Sequence, residues 1–232
     1  MSNYPDLAAV ASLIADPARA SMLSALLGNI ALPAGELARL ARITPQTASA
    51  HLAKLVEGNL LSVTALGRHR YFRLRDRSVA QALESLALLA APARVTSLND
   101  SLERKAIHRA RTCYDHLAGA LGVGLTQALM DHGFVEYHGD AYEVTQAGET
   151  WFDSFGIDCS ELQQKRRAFA RFARSCLDWS ERKPHLAGAL GAAVLRRLLD
   201  LKWLLRVRGS RAVKVTDLGR QQLQSEFGLD WK

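Results

Sequence analysis

The sequence predicts a mainly α-helical protein with small β-hairpin wings, organised in two parts, and three observations carry that expectation. In the first part, apolar side chains recur at helical spacing between cap signals. Two β-prone runs there flank a glycine. The second half repeats a seven-residue string letter for letter. The 232-residue chain is 48% hydrophobic, which supplies a core and excludes intrinsic disorder. Its length favours two modest domains. Three cysteines are too few and too odd in number for a disulfide framework. The opening MSNYPDLAAV carries no secretory signal, and the uncharged stretch from His116 to Met130 falls short of the ~20 apolar residues of a membrane span. A soluble, cytoplasmic protein with no membrane partner is expected. The net charge of +7 admits nucleic acid as a partner but says nothing of fold.

Taken in order, Leu7, Val10 and Ile14 mark a first helix. Asp16-Pro17 reads as an N-cap with proline at the first helical position, opening a helix through Met22, Leu23, Leu26 and Leu27 that stops at Gly28-Asn29. A short helix follows over Gly35–Ala41. After a turn at Arg42-Ile43, Thr44-Pro45 opens a helix to about Glu57, stopped by Gly58-Asn59. Residues 60–64 and 71–74 read as strands joined by a loop holding Gly67. Helix, helix, short helix, turn, helix and hairpin is the order of a winged helix-turn-helix. From Asp76 to Ala90 a further helix carries Val79, Leu83, Leu86 and Ala90 in a heptad-like stripe, suited to pairing with a second copy or to packing in its own domain. Ala91-Pro92 ends it. The boundary is placed there, giving domains 1–92 and 93–232.

In the second half, His116-Leu-Ala-Gly-Ala-Leu-Gly122 recurs as His185-Leu-Ala-Gly-Ala-Leu-Gly191. Upstream, R-x-C-x-D occurs at 111–115 and at 174–178. Downstream, Val144-Thr145 with Gly148 matches Val215-Thr216 with Gly219. These identities mark a duplication, with copies at about 111–156 and 174–228. Each copy reads as helix, glycine-containing turn, helix, short hairpin and a closing helix opened by Val-Thr. The C-terminal part is thus expected to be a pair of winged-helix-like units facing each other, with a cleft at their shared surface.

Charge locates one candidate site. Residues 1–75 hold eight basic and four acidic residues, and half of the basic ones fall between Arg68 and Arg75. In the helix from Thr44 to Glu57, helical geometry turns Ala48, Leu52 and Leu55 toward the domain. Gln46, Thr47, Ala50 and Lys54 then point away, with Ser49 and His51 on the flanks. Short polar side chains near a helix N-terminus are what reading base edges in a major groove requires. Arg68, His69 and Arg70 at the hairpin tip supply charge for phosphate or the minor groove.

Residues Ala15 to Leu74 resemble the ArsR family of bacterial winged-helix transcriptional repressors. The resemblance lies in Ala15-Asp-Pro-Ala-Arg19, Gly35-Glu-Leu-Ala38, Thr44-Pro-Gln-Thr-Ala-Ser-Ala-His-Leu52 and Gly67-Arg-His-Arg-Tyr-Phe-Arg-Leu74. It implies a homodimer that binds double-stranded operator DNA and lets go when an inducer binds. By the family's pattern Gln46, Thr47, Ser49 and His51 are recognition-helix contacts and Arg68 to Arg70 form the wing. Many members of that family sense metals with cysteines in the third helix or with His and acidic residues in the dimerisation helix. Here GELARLARIT and RSVAQALESLALLA contain neither Cys nor His, so sensing is expected in the second half.

The candidates for sensing are Arg111, Cys113, Asp115, His116, Arg174, Cys176, Asp178, Trp179 and His185. Cys113 and His116, three apart, are read as sharing a helix face. With Cys176 and His185 they would make four ligands for a soft metal. A thiol switch activated by Arg111 and Arg174 is a second reading. The third is a pocket for an organic anion gripped by arginines and lined by Tyr114 and Trp179. The residues equally allow a purely structural Arg–Asp pair joining the copies. Cys159 has no assigned role. No nucleotide-binding, G-x-S-x-G, H-E-x-x-H or C-x-x-C motif is present, so no enzyme is expected and no cofactor is required for the fold. An architectural DNA-binding protein remains the alternative class. Arg206, Arg208 and Arg211 in the second hairpin permit it, but Glu136, His138 and Asp140 in the first do not match them.

Overall fold

Asp16 and Thr44 cap their helices as the sequence predicts: Asp16 Oδ1 accepts the Arg19 N–H at 3.0 Å and Thr44 Oγ1 accepts the Thr47 N–H at 3.2 Å. The computed structural model describes residues 4–91, 97–165 and 172–231. Two compact units emerge, Met1–Leu86 with Gly209–Arg211 and Ala87–Arg208 with Ala212–Lys232.

The first unit runs α1 (Leu7–Ile14), α2 (Pro17–Leu26), β1 (Leu32–Pro33), α3 (Ala34–Leu40), α4 (Pro45–Glu57), β2 (Leu61–Leu66), β3 (His69–Leu74) and most of α5 (Arg77–Leu89). This is a winged helix-turn-helix, mainly α with a small β wing. Met22, Leu23, Leu26, Leu37, Ala48, Leu52, Leu55, Phe72 and Leu74 form its core, the α4 members being those the helical period selects. Two details differ from expectation. Strand β1, too short to show a period, pairs with β3 to complete a three-stranded sheet in the order β1-β3-β2. The wing strands are longer than expected, with Leu66 opposite His69, so only Gly67 and Arg68 form the turn and His69 and Arg70 belong to β3. Gly67 takes φ +57°, which a tight two-residue connection favours. Helix α5 ends at Leu89. The expected break at Pro92 lies outside the described residues.

The second unit adds α6 (Leu98–Arg109), for which sequence reasoning had no expectation. Next come β4 (Arg111–Cys113), β5 (His116–Ala118), α7 (Gly119–Asp131), β6 (Val135–Tyr137), β7 (Tyr142–Val144) and α8 (Gln146–Ser154). After α9 (Cys159–Lys165) the pattern recurs as β8 (Ala173–Leu177), β9 (Pro184–Ala187), α10 (Gly188–Asp200), β10 (Leu204–Arg206), β11 (Val213–Val215) and α11 (Asp217–Phe227). Each copy keeps the expected helix, hairpin and closing helix, capped by Thr145 and Thr216. Its opening element is not a helix. It is a two-stranded hairpin: in the first copy Tyr114 takes φ +57° and turns the chain back after three residues, and in the second a longer loop carries Arg182 at φ +57°.

The repeat's glycines follow from that geometry. Gly119 and Gly188 leave each hairpin at φ +76° and +79°, where a side chain is strained. A Cβ on Gly122 or Gly191 would stand 2.5 or 2.6 Å from the carbonyl oxygen of Leu117 or Leu186, so only glycine lets α7 and α10 lie against their own hairpins.

The copies pack reciprocally. Arg111 bridges Ala212 in the second copy's wing and Arg174 bridges Ala141 in the first copy's wing. Helix α7 lies on β9 and α10 on β5, the two-way exchange expected of a pair facing itself. One core results, with Leu117, Leu121, Leu125, Leu129 and Phe152 meeting Leu186, Leu190, Leu198, Trp203 and Phe227.

Candidate functional site

On the first unit, α4 exposes Gln46, Thr47, Ser49, Ala50 and Lys54, while Ala48, Leu52 and Leu55 are buried. Thr47 and Ser49 are also engaged with their own helix: Thr47 Oγ1 lies 2.9 Å from Thr44 Oγ1, and Ser49 Oγ donates to the Pro45 carbonyl at 2.9 Å. His51 lies on the flank of the helix, as expected. It is half-buried, its Nδ1 3.1 Å from Arg19 Nη1 and its Nε2 4.0 Å from Asp16 Oδ1. Position 51 lies three residues after Ala48 and four before Leu55, so the helical period draws it toward the seated face. On the wing, Arg68, His69 and Arg70 are exposed. Arg68 Nε lies 3.4 Å from His69 Nε2, and the Arg70 guanidinium stands 5.8 Å from the Phe72 ring centre.

On the second unit, the structure brings four of the nine sensing candidates together. Cys113 and His116 are cross-strand partners in β4–β5, not neighbours on a helix as the sequence reading had them. Cys176 and His185 are cross-strand partners in β8–β9. A spacing of three across a tight turn and a spacing of nine across a longer loop thus produce the same pairing. The two hairpins face each other. Cys113 Sγ lies 3.9 Å from Cys176 Sγ and His116 Nε2 lies 3.2 Å from His185 Nε2, the imidazoles stacking with centres 5.0 Å apart. All four ligand atoms fall within 4.8 Å of one another; Cys113, His116 and His185 are buried and Cys176 is half-buried.

Carboxylates stand behind both imidazoles. Asp115 Oδ1 is 3.4 Å from His116 Nδ1, and Asp178 Oδ2 is 4.0 Å from His185 Nδ1, a buried nitrogen with no hydrogen-bond partner. Burial pulls the His116 imidazole down, but the Cys113 sulfur and the Asp115 carboxylate outweigh it and raise its pKa to about 9.

Two other candidates pair with each other. Arg111 Nη2 donates to Asp178 Oδ2 at 2.9 Å, an ion pair between the copies with both side chains buried, and its guanidinium stacks 4.3 Å from the Trp179 ring centre. Asp178 also accepts the Gly119 N–H at 2.7 Å, and its other oxygen accepts the Ser180 and Glu181 N–H groups. Burial raises the Asp178 pKa, but the Arg111 charge and these donors hold it well below the usual carboxylate range. Arg174 departs from its counterpart. It is half-buried and lines an open depression of about 520 Å³ with Tyr137, Asp140, Ser175 and Leu177. Cys159 is buried in the apolar core, which pushes its thiol up to about 11.

Sequence reasoning missed Ser180, whose hydroxyl accepts from Arg111 Nη1 and donates to Asp178. It also missed Thr126, whose hydroxyl accepts the Leu186 N–H of the other copy at 2.8 Å. The signal for Thr126 was available: a polar residue stands where the second copy has Leu195.

Among the described residues no helix is long and apolar enough to cross a membrane. A family model described as a helix-turn-helix domain matches residues 14–64. Over 225 residues the chain is 48% identical to YdfF of Bacillus subtilis (strain 168), an uncharacterized HTH-type transcriptional regulator, covering 97% of this chain and 98% of that one. The likeness therefore runs through the duplicated half as well. Similar solved structures include NolR from Sinorhizobium fredii, at 25% identity over 40% of this chain and 100% of that one with a TM-score of 0.34. Another is the cadmium metal-sensor CMTR from Mycobacterium tuberculosis, at 31% identity over 39% and 96% with a TM-score of 0.31. The N-terminal domain is a winged helix-turn-helix, and the chain belongs to the HTH-type transcriptional regulators.

Proposed function

We propose that the protein is a homodimeric repressor that holds operator DNA through residues 1–92 and is released by an effector bound within residues 93–232. The observation that carries the DNA contact is the α4 surface, where Gln46, Thr47, Ser49, Ala50 and Lys54 are exposed, combined with the exposed Arg68, His69 and Arg70 of the wing in the same unit. Short polar groups on the helix read base edges, and the arginines neutralise phosphates. Support for a second copy comes from apolar side chains left in solvent on α1 and α5, with Leu7 76% and Leu86 45% exposed. The family resemblance supplies the sense of regulation, repression. An effector that binds the DNA-incompetent dimer better shifts the population toward it, and operator affinity falls by the ratio of its two affinities.

The test is fluorescence anisotropy of the purified protein with DNA from upstream of its own gene, titrated at several salt concentrations, alongside sedimentation to count subunits. Saturable binding that competitor DNA does not displace, by a dimer, is the expected result. Equal affinity for all sequences with a steep salt slope would overturn the reading in favour of an architectural DNA binder.

A further inference from the structure

We propose that Cys113, His116, Cys176 and His185 form a closed tetrahedral site for one zinc-class cation at the seam between the two copies of the repeat. With Zn–S of about 2.3 Å and Zn–N of about 2.0–2.1 Å, a regular tetrahedron requires S···S of about 3.8 Å and N···N of about 3.3 Å. The side chains stand at 3.9 and 3.2 Å. The spacing is thus that of the two opposite edges of such a tetrahedron, while the S···N edges, which reach 4.8 Å, shorten as the ion binds.

The orientation of the imidazoles suits the same ion. A carboxylate faces Nδ1 of each ring, at 3.4 Å in His116 and 4.0 Å in His185, which favours the tautomer carrying its proton on Nδ1. The two Nε2 atoms then lie 3.2 Å apart in a buried place, where a cation bound by both takes the position of the single proton they can otherwise share. Two thiolates neutralise a divalent ion, so the loaded centre is uncharged, as burial demands. Sulfur and nitrogen donors exclude calcium and magnesium, which take oxygen. With four protein ligands no position stays open for substrate, which marks a structural or sensing centre and not a catalytic one. Each copy contributes one Cys and one His from one hairpin, so loading the site clamps β4–β5 to β8–β9.

This inference deepens the effector reading by naming the effector's class and rests on that reading only for its effect on DNA. The experiment separates the two. Reduced, chelator-stripped protein is titrated with zinc against a chromophoric competitor and, separately, with cobalt as a spectroscopic stand-in. One ion per chain is expected, with the visible bands of tetrahedral cobalt and thiolate-to-cobalt charge transfer. Cys176→Ser and His185→Gln should each weaken binding more than a hundredfold. Asp115→Asn should weaken it about 10–100-fold through the His116 ring, and Cys159→Ser should leave it unchanged. Circular dichroism of each apo variant confirms that it folds. An octahedral cobalt spectrum, or full affinity in the Cys113→Ser, Cys176→Ser double variant, overturns the site. Zinc is then added to the operator complex, where release should lower affinity about 5–150-fold. Tight zinc binding with unchanged DNA affinity would uphold the site and overturn the effector reading alone.

Discussion

Replacing Asp178 with asparagine keeps the shape of the side chain and removes its charge. In the native protein one oxygen takes Arg111 Nη2 at 2.9 Å and the Gly119 N–H at 2.7 Å. The other takes the Ser180 N–H at 2.8 Å and the Glu181 N–H at 3.0 Å. An amide NH2 group must face one of these donor pairs, and the Arg111 cation, 1% exposed, loses its counter-charge. Removing one partner of a buried ion pair costs about 3–5 kcal/mol. With a urea m-value near 2 kcal/mol/M, that lowers the unfolding midpoint by roughly 2 M. The assay is convenient because all four tryptophans (Trp151, Trp179, Trp203 and Trp231) lie in the second half, so intrinsic fluorescence in chelator follows that unit alone. Adding Arg111→Met to Asp178→Asn removes the stranded cation, and the double variant should recover about 0.5–3 kcal/mol relative to the sum of the single changes. A midpoint shift below about 0.5 M, or strict additivity, would refute the view that this ion pair joins the copies.

Three further outcomes are expected. Thr44→Ala removes the α4 cap and should cost about 1 kcal/mol of N-terminal stability in a circular dichroism melt, weakening DNA binding without a change in sequence preference. Arg68→Ala should weaken binding to all sequences and reduce the salt slope by about 1, whereas Gln46→Ala should relax specificity by about 1–3 kcal/mol at one base pair, both read by anisotropy. Because the folded protein holds Asp178 below its ordinary pKa, its contribution to stability is complete above the unfolded value of about 3.9 and fades as pH falls through and below it. Urea midpoints from pH 5 to pH 2 should therefore fall more steeply in the native protein than in Asp178→Asn, and parallel curves would contradict the assignment.

The elements of the first unit were legible because their causes are local. Asp16-Pro17 and Thr44-Pro45 satisfy helix-end amides within three residues, Gly58-Asn59 stops α4, and the period of Ala48, Leu52 and Leu55 orients it. The duplication was equally plain from identity alone, as were the residue types that could hold an ion. Local sequence did not decide the opening element of each copy. A Cys and a His three apart suit one helix face as well as the two sides of a tight hairpin turn, and strands of three residues are too short to display a period of two. The flank position of His51 was legible from the helical period, but its partner, Arg19 of another helix, was not. By itself the sequence determined the wing, the short hairpin after the long helix of each copy, four candidate ligands and two R-x-C-x-D motifs. Tertiary packing decided that Arg111 pairs with Asp178, 67 residues away, and that the two Cys–His pairs converge. The physical reason is the reciprocal packing of the copies, in which each opening strand joins the other's wing and each long helix covers the other's hairpin.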